Sequence, residues 1–346
     1  MSIDAAALQE WATRLLEAWG YASDDAAFLA ETLVDANLRG VDSHGVIRLP
    51  AYRARIDAGL VDPVATPVIE RAGGVVSVDA AGTAGQLAAR AAVDELAELS
   101  AEAGVACAAV RGSTHFGTAG FYARALARRG RVAFVVSNSE PVVVPFGGKE
   151  ALLGTNPFAF AAPTTGDPIS LDMATSTSAM GKVFVARAQG TPIPDDWGVD
   201  ADGVPTTDPD AVVALLPAGG PKGYGLGFLV EILAGVLTGA AVAGDIGNMY
   251  SDFTKRQDVG HFMIAMDVTK FLPLELFTRR MDALVALAHE TEPAPGFSAV
   301  LVPGEPEERT RRARAEGGIE IPDATVAELI ELGELAGVAY PAEVAR

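Results

Sequence analysis

The sequence predicts an α/β protein with a helical N-terminal lobe. Over about the first sixty residues, large apolar side chains recur at helical spacing, as in Leu8, Trp11, Leu15 and Trp19. From about residue 63, short apolar strands alternate with helices, beginning with a strand at Val75–Asp79 and an alanine-rich helix from Gln86 to Ala103. Such alternation is typical of an α/β body.

Three helices are predicted in the N-terminal lobe. The first ends at Gly20, and the second starts at a capping segment, Ser23-Asp24-Asp25, and ends at Arg39-Gly40. A third, short helix begins near Val46 and tolerates Pro50 in its first turn. We assign residues 1–62 to this lobe and expect the C-terminal segment 297–346 to join it.

Residues 63–296 are predicted to form the α/β domain that binds cofactor and substrate. Further strands are expected at Val105–Val110 and Val132–Ser137, with a helix from about Gly120 to Arg129 between them. Residues 190–210 are rich in Pro, Asp, Gly and Thr and predict a surface loop. A buried helix is expected from Gly223 to Leu237, and helix resumes after Phe271.

Composition excludes several classes of partner. The 346 residues carry 26 Lys and Arg against 45 Asp and Glu, a formal net charge of −19. Such a chain offers no basic field for DNA, RNA or an anionic membrane surface, whereas a small anionic substrate needs only a few local cations. No run approaches the ~18 apolar residues of a membrane-spanning helix.

Cysteine usage indicates a reducing compartment. Cys107 is the only cysteine, so no disulfide can form within the chain, and its apolar neighbours predict a buried structural thiol. The N-terminus begins with an acidic segment unlike a secretion signal. We therefore expect a cytoplasmic protein.

The usual nucleotide-binding fingerprints are missing. The segment from Val78 to Gly85 has two of the three glycines of a Rossmann turn, and the next strand ends at Arg111 rather than at an acid. The run Gly223-Tyr224-Gly225-Leu226-Gly227 matches half of that pattern without a preceding strand. No Gly-Lys-Ser/Thr of a P-loop occurs.

His44, Arg48 and Tyr52 are spaced to share one helical face. Arginine can bind a carboxylate through two parallel hydrogen bonds, and histidine titrates near neutrality and can move a hydroxyl proton. This combination suits a 2-hydroxy acid. A surface histidine beside a capping serine, with a solvated arginine, fits the same spacing.

His115 follows a predicted strand, where loops commonly carry active sites, so it is a second candidate acid/base. Spacing alone leaves a structural role equally open. His261, before the alternating segment from Phe262 to Met266, is better explained as a hydrogen-bonded strand-end residue, and we assign His289 no role. No histidine or cysteine spacing predicts a metal site, and no Gly-x-Ser-x-Gly motif indicates a hydrolase.

Lys222 lies just before a predicted helix, in Gly219-Gly220-Pro221-Lys222-Gly223. Free backbone N–H groups and the helix dipole favour an anion there, such as a cofactor phosphate. A solvated loop lysine is an equally good interpretation.

Taken in order, several motifs resemble the malate/L-lactate dehydrogenase family. They are Asp42-Ser43-His44-Gly45 with Arg48, Val144-Pro145-Phe146-Gly147-Gly148, Gly154-Thr155-Asn156-Pro157, Leu171-Asp172-Met173-Ala174-Thr175, Gly203-Val204-Pro205-Thr206-Thr207-Asp208-Pro209, Gly220-Pro221-Lys222-Gly223-Tyr224-Gly225-Leu226 and Pro293-Ala294-Pro295-Gly296-Phe297. The match extends over nearly the whole chain. It implies the mixed-sheet, non-Rossmann fold of sulfolactate and malate dehydrogenases, a homodimer, and a bound NAD or NADP, with NAD favoured.

The resemblance also implies roles for individual residues. His115 would accept the proton of the substrate hydroxyl, and His44 would orient the same oxygen, with its ring steered by Asp42. The substrate site would further include Ser43, Arg48 and Tyr52. The cofactor would contact Ser139, Asp172, Met173, Ala174 and Lys222, with a further region at Arg280, Met281 and Asp282.

Within the family, three segments are most similar to the members that oxidise ureidoglycolate: Ile193–Trp197, Ala214–Ala218 and Met249–Asp252. Phe116-Gly117 after His115 and Gly260-His261-Phe262 depart from that branch. Malate, lactate and sulfolactate are alternative substrates, as is reduction of a cyclic imine carboxylate by NADPH. A non-catalytic binding protein of the same fold is disfavoured because His44, Arg48, His115 and Lys222 are all present.

Overall fold

In the computed structural model, which describes residues 2–342, the N-terminal lobe contains a short strand and three helices. They are β1 (Ser2–Ile3), α1 (Ala5–Ala18), α2 (Ser23–Leu38) and α3 (Leu49–Asp57). Two single 3₁₀ turns, Asp42–His44 and Val46–Arg48, connect α2 to α3. Pro50 lies in the first turn of α3, where its missing N–H costs no helical hydrogen bond.

The body alternates strands and helices, as predicted. Its strands are β2 (Val68–Ala72), β3 (Val75–Asp79), β4 (Val105–Ser113), β5 (Arg131–Ser137), β6 (Phe158–Ala162), β7 (Ile169–Met173), β8 (Gly198–Val199), β9 (Ala214–Leu215) and β10 (Val259–Asp267). Its helices are α4 (Gly85–Ala103), α5 (Ala119–Arg128), α6 (Met180–Gln189), α7 (Pro221–Glu231), which continues as a π-helical turn over Ile232–Val236, and α8 (Leu274–His289). The chain closes with α9 (Glu305–Gly317), β11 (Ile319–Glu320) and α10 (Asp323–Ala336).

The main sheet is mixed, which confirms the predicted fold class. Its seven strands run in the order β2-β3-β4-β10-β5-β6-β7. Only β3 and β4 pair in parallel within this sheet of the described chain, and every other neighbouring pair is antiparallel. A doubly wound dinucleotide fold needs adjacent parallel strands, so this topology explains why the Rossmann fingerprint is missing.

Both faces of the sheet are covered by helices. On one face, α4 and α5 bury a core that includes Leu96, Leu126 and the β10 residue Met263. On the other face, Val230 of α7 and Ala234 of the π-helical turn pack against Phe262. Successive side chains of β10 therefore pack into the cores on opposite faces of the sheet, as the two-residue period of a strand requires.

The end of the described chain packs into the N-terminal lobe. β1 pairs antiparallel with β11, with Ser2 opposite Glu320. Ile319 of β11 and Leu329 of α10 share a buried core with Leu8 and Leu33 of the first two helices. The last four residues of the predicted 297–346 segment lie outside the described residues.

Three local expectations are corrected. The segment 190–210 contains the short strand β8 and buries Ile193 and Val199, so it is not simply a surface loop. Cys107 is only partly buried, because its side of β4 faces the thinner core under α7. The segment from Gly223 to Leu237 is helical, but its apolar side chains are largely exposed, since the helix covers the sheet with one side only.

Within residues 2–342, no helix combines the length and the apolar character that a membrane crossing would need.

Gly260 is required where β10 meets the π-helical turn. An added Cβ would lie 1.7 Å from the carbonyl oxygen of Ala234, and β10 has a bulge at this residue. We therefore expect Gly260→Ala to lower the free energy of unfolding by about 1–3 kcal/mol in urea titrations.

Gly181→Ala is the matched control. A Cβ at Gly181 in α6 meets no atom of the described chain within 4 Å, so this variant should be neutral or slightly stabilising. Equal stability of both variants would show that the approach of β10 to Ala234 is not rigid.

Candidate active site

The loop that carries His44 is held in place by one buried side chain of α2. The Asn37 amide donates to Asp42 Oδ1 at 2.8 Å, and its oxygen accepts the Val46 backbone N–H at 2.9 Å. Gly45 passes directly over this amide, because a Cβ there would lie 2.1 Å from Asn37 Oδ1. Asn37 therefore fixes both ends of the turn from which His44 projects.

Asp42 does not steer the His44 ring, so that prediction is wrong. Its two carboxylate oxygens accept bonds from Arg314 of α9, at 2.7 and 3.0 Å. Ser43 contacts the ring instead, with its Oγ 2.9 Å from His44 Nδ1. The carboxylate anchors the loop to α9, and the neighbouring serine orients the histidine.

His115 joins the sheet to the N-terminal lobe. It follows β4, and its Nδ1 lies 2.7 Å from the hydroxyl of Tyr52 in α3. Its backbone N–H donates to Gln257 Oε1 at 3.2 Å, which fixes the loop. The other ring nitrogen, Nε2, is buried and has no hydrogen-bond partner within residues 2–342.

Arg48 is the cation of the site. Its guanidinium lies over the ring of Tyr250, 5.3 Å from the centroid. No carboxylate of the described chain forms a salt bridge with it, and its buried Nε has no hydrogen-bond partner there. Burial lowers the pKa of Arg48, although Tyr52 and Glu140 act in the opposite direction. A guanidinium left without a protein carboxylate is suited to a carboxylate of the substrate.

The two histidines of the site are held neutral. Their rings lie 5.3 Å apart between centroids. Burial, and then the charge of Arg48, lowers the pKa of His44 to about 3. Burial also lowers the pKa of His115 well below its ordinary value, with added contributions from Arg48, His44 and His261. A neutral imidazole whose Nε2 has no partner in the described chain can exchange a proton with a substrate.

His261 has the structural role expected for it. It is fully buried in β10, and Phe116 stacks on its ring at 4.0 Å between centroids. Its ring nitrogens lie 2.9 Å from Ser137 Oγ and 2.8 Å from Ser113 Oγ. Both nitrogens are used within the core, so His261 supports the His115 loop from below.

Most residues predicted to contact the cofactor lie at one end of the sheet. Ser139 follows β5, and its N–H donates to Asn156 Oδ1, while the Asn156 amide donates to the Gly227 carbonyl of α7. Met173 ends β7, and Ala174 follows it directly before Thr175, whose carbonyl lies 2.8 Å from where a Gly223 Cβ would stand. The start of α7, with Lys222, therefore adjoins the ends of β5 and β7.

Asp172 and Lys222 each leave polar capacity for a ligand. Asp172 Oδ2 accepts the Gly120 N–H at 2.7 Å, which connects the end of β7 to the start of α5. Lys222 is exposed in the first turn of α7, and no side chain in the described part of the molecule forms a salt bridge with it. These groups fit the ribose hydroxyls and phosphates of a dinucleotide.

Arg280, Met281 and Asp282 lie at the opposite end of the same edge. Asp282 of α8 accepts bonds from the backbone and hydroxyl of Thr165, in the turn between β6 and β7. Five residues of β7 separate that turn from Met173, about 13 Å of strand. A dinucleotide would have to lie extended along β7 to contact both regions.

Sequence patterns did not reveal several contributors. Gln86, Gln257 and Arg314 each act through a contact far away in sequence, which no local spacing signals. Asn37 acts on the nearby turn through Asp42 and Val46, but through a polar side chain that no hydrophobic pattern marks. Asn156 does lie in a family motif, and its positive φ of 37° in a fully buried position marks it as structurally required. Nowhere between residues 2 and 342 do three or more His, Cys, Asp or Glu side chains cluster as a metal site would need.

Comparisons with known proteins agree with this arrangement. The family model for malate/L-lactate dehydrogenase matches residues 3–330. The chain is 40% identical to ureidoglycolate dehydrogenase (NAD(+)) of Escherichia coli over 306 residues, covering 88% of each chain. It is 39% identical to (2R)-3-sulfolactate dehydrogenase (NADP(+)) of Chromohalobacter salexigens, over 92% of this chain and 94% of that one. The structure of sulfolactate dehydrogenase from Methanocaldococcus jannaschii superposes with a TM-score of 0.92 at 34% identity, covering 98% of both chains.

The buried neutral His261 should make stability depend on pH. Burial lowers its pKa in the folded state to about 3, whereas the unfolded chain binds a proton near 6.5. Below pH 6.5 the unfolded state therefore binds more protons, and stability falls. Between pH 7 and pH 5 this histidine should cost about 2 kcal/mol.

The measurement is urea unfolding at pH 5, 6 and 7. His261→Gln should remove about 2 kcal/mol of the pH-dependent loss, whereas His289→Gln, at an exposed position, should leave that loss in place. An unchanged pH dependence in His261→Gln would mean that the imidazole is charged in the core.

Proposed function

Because the chain belongs to the malate/L-lactate dehydrogenase family, we propose that it transfers a hydride between NAD and a small 2-hydroxy acid, with ureidoglycolate as its substrate. The family is one of oxidoreductases that use a nicotinamide cofactor. The observation that carries the proposal is the pair of buried groups without a partner in the described chain, His115 Nε2 and Arg48 Nε. They offer a proton acceptor and an anion-binding group in one site.

In the proposed reaction, Arg48 binds the substrate carboxylate and supplies the only cation adjoining the two histidines in the described site. His115 Nε2 accepts the hydroxyl proton as the bond to the α-hydrogen breaks. The nicotinamide, when bound, takes that hydrogen as a hydride. Removing the general base from such a reaction typically costs about 10²–10⁴-fold in rate.

His44 and Ser43 would orient the substrate oxygen beside His115. Ser43 bonds His44 Nδ1, so the remaining nitrogen of His44 is directed away from the loop. Because its pKa is held near 3, His44 stays neutral and does not compete with Arg48 for the carboxylate. Tyr52 lies beside the site with its hydroxyl 2.7 Å from His115 Nδ1, so we propose that it also acts on the base.

Glu140 supports ureidoglycolate over a diacid. The Met249 N–H donates to Glu140 Oε1 at 3.5 Å, and the next residue, Tyr250, covers Arg48. This carboxylate therefore adjoins the segment that covers the substrate cation. It would repel the second carboxylate of malate or the sulfonate of sulfolactate, but it can accept the N–H groups of a urea.

The cofactor would lie along the edge strand β7. Ser139, Met173 and Ala174 would contact the nicotinamide half, and Asp172 and Lys222 the ribose and phosphates. We extend the site to Arg280, Met281 and Asp282 for the far end of an extended dinucleotide. The E. coli relative is named for NAD(+), which supports NAD here. A single cysteine fits a reducing compartment, and we place the reaction in the cytoplasm.

We further propose that the enzyme is a homodimer that buries the outer side of α7. Large apolar side chains there are 42–65% exposed in the single chain, namely Leu226, Phe228, Leu229, Ile232, Val236 and Leu237. A contiguous apolar helix face of this kind is unusual on a monomer. A second copy related by a two-fold axis would cover the same face on both chains.

Sedimentation velocity tests this assembly. Wild type should sediment as a dimer, and Ile232→Glu should shift it toward monomer because a charge would be buried at the interface. Leu335→Glu, at a residue of α10 that is 80% exposed, is the control and should stay dimeric. A monomeric wild type would contradict the proposal.

A substrate panel tests the activity itself. Reduction of NAD⁺ and NADP⁺ would be followed with ureidoglycolate, malate, lactate and sulfolactate, and oxidation of NADPH with piperideine-2-carboxylate. We expect NAD⁺ and ureidoglycolate to give the highest kcat/KM. Glu140→Gln should lower that value roughly tenfold and raise the value for malate, since a charged acceptor is lost and a repulsion is removed.

The His115→Asn variant is the negative control. It should abolish turnover of every substrate if catalysis takes place at the proposed site. Preference for malate or sulfolactate in the wild type would overturn the substrate while keeping the family activity. Activity with the cyclic imine alone would favour the reductase. A lack of activity with every substrate, while the cofactor still binds in a fluorescence titration, would favour the hypothesis of a non-catalytic binding protein.

A further inference from the structure

Glu231, the last residue of α7, is a buried carboxylate that no cation of the described chain neutralises. The residue is 6% exposed, and it forms no salt bridge with a Lys, Arg or His among residues 2–342. Burying an acid without a counter-ion is costly, and hydrogen bonds to its oxygens have to compensate. The contacts of Glu231 therefore indicate what the buried acid does.

The two oxygens of Glu231 bind two separate parts of the chain. Oε2 accepts an N–H of the Asn156 side-chain amide at 2.7 Å, and Oε1 accepts the Ala243 backbone N–H at 2.8 Å. Both partners are donors, so the bridge needs an acceptor at each end, which a carboxylate offers and an amide does not. Ala243 also has a φ of 48°, uncommon for a residue with a Cβ.

On one side of this bridge, Asn156 holds the backbone of Ser139, which is predicted to contact the cofactor. Asn156 Nδ2 also donates to the Gly227 carbonyl at 3.0 Å, and Oδ1 accepts the Ser139 N–H at 3.2 Å. A rotation of the amide by 180° would set oxygen against oxygen at both Nδ2 contacts. Glu231 therefore keeps the Asn156 oxygen directed at Ser139.

On the other side, Ala243 belongs to residues 241–252, which we call the cover segment. Its Tyr250 ring lies over the guanidinium of Arg48, 5.3 Å from the centroid to the carbon of that group. The segment therefore closes the substrate side of the proposed site. Glu231 fixes one N–H near its start.

The far end of the cover segment is fixed to α3. Arg55 is 1% exposed, and one of its terminal nitrogens donates to the carbonyls of Asn248 and Asp252 at 3.3 and 3.2 Å. This anchor involves no group of the cofactor side. A change at Ala243 is therefore expected to move the start of the segment and the position of Tyr250, while the far end stays docked.

The neighbours of Ser139 are also bonded to the cover segment. The Asn138 amide donates to the Ala241 carbonyl at 2.8 Å, and Glu140 accepts the Met249 N–H. The cofactor side and the cover segment thus adjoin over three successive residues, 138–140. Glu231 supplies the link that is made by a side chain touching neither proposed ligand.

We propose that Glu231 couples the two halves of the site, so that cofactor and substrate each favour the binding of the other. This inference rests on the proposed function, with the cofactor at Ser139 and the substrate at Arg48. Glu231 is a positioning residue, and no bond to it is made or broken in the reaction. A cofactor that orders Ser139 would order the cover segment through Asn156 and Glu231. By linkage, substrate under that segment tightens the cofactor by the same factor.

The coupling can be measured without substrate, by hydrogen–deuterium exchange of the full-length protein with and without NADH or NADPH. In wild type, the bound cofactor should slow exchange in peptides from the cover segment. In Glu231→Gln the new NH₂ faces either the Asn156 amide or the Ala243 N–H, both of them donors. That variant should bind cofactor and leave the cover segment unprotected.

Two exchange results would overturn the coupling while leaving the dehydrogenase assignment intact. One is a wild type whose cover segment stays unprotected with cofactor bound. The other is protection that persists unchanged in Glu231→Gln. Failure of the wild type to bind either cofactor is a different result, and it would overturn the proposed function together with the coupling.

An exchange of the amide and the carboxylate tests the bridge itself. In Glu231→Gln with Asn156→Asp, the new carboxylate accepts the Ser139 N–H and the new amide, whose oxygen accepts the Ala243 N–H. Only the bond to the Gly227 carbonyl is lost, so protection of the cover segment should largely return. A double variant with the wild-type circular dichroism spectrum but no protection would contradict the bridge.

Affinities provide the second measurement. The titrations would use NADH with the hydroxy acid of highest kcat/KM in the panel, a pair that cannot react because both are reduced. Substrate should tighten NADH about tenfold in wild type and less than twofold in Glu231→Gln.

Asp267→Asn is the matched control, because Asp267 is also a buried carboxylate, 5% exposed, at the other end of β10. It should lower the stability and keep the tenfold effect. Equal loss of coupling in both variants would mean that Glu231 only supports the fold.

Discussion

The hydrogen bond between Tyr52 and His115 is the contact on which the site depends, because it joins two parts of the chain that are far apart in sequence. Tyr52 belongs to the helical lobe and His115 to the loop after β4, 63 residues further on. The contact requires α4 to approach that loop closely. A Cβ at Gly85 would lie 2.4 Å from the Thr114 carbonyl oxygen, so only glycine permits the approach. Docking of the lobe and formation of the site are therefore one event.

The second constraint is electrostatic. The chain carries a net charge of −19, yet its site brings Arg48 beside two neutral histidines with no carboxylate paired to the guanidinium among residues 2–342. Acidic residues nearby are used elsewhere, as when Asp42 pairs with Arg314. A buried cation without a partner is costly to stability, and on the proposed function an anionic substrate would supply the missing charge.

Sequence reasoning found the groups of the site but not what holds them. The i, i+4 spacing predicted one helical face for His44, Arg48 and Tyr52, but the structure places them on two 3₁₀ turns and α3, with an extended Gly45 between the turns. The mixed sheet followed from family motifs rather than from strand patterns. Asn37, Gln86 and Arg55 could not be found, since each acts through polar contacts that leave no periodic signal, and those of Gln86 and Arg55 span 34 and 200 residues. The prediction that the helix after Gly223 is buried was wrong for a related reason. Apolar residues all round a helix predict burial, but the sequence does not distinguish burial within one chain from the burial that we propose against a second copy.

In the proposed site, different elements contact the substrate and the cofactor. This separation would explain why relatives of similar identity are named for different substrates and cofactors. In the proposed site, the substrate contacts come from the lobe, through His44, Arg48 and Tyr52, whereas the cofactor contacts come from the ends of β5 and β7 and from α7. His115 is bonded to Tyr52 of the lobe and, through its backbone, to Gln257 before β10. On this proposal, a change in one set of contacts need not disturb the other. Relatives at 40% and 39% identity are named for ureidoglycolate with NAD(+) and for sulfolactate with NADP(+). Overall identity does not choose between such substrates, which is why the proposed choice rests on a single group beside the substrate site, the Glu140 carboxylate.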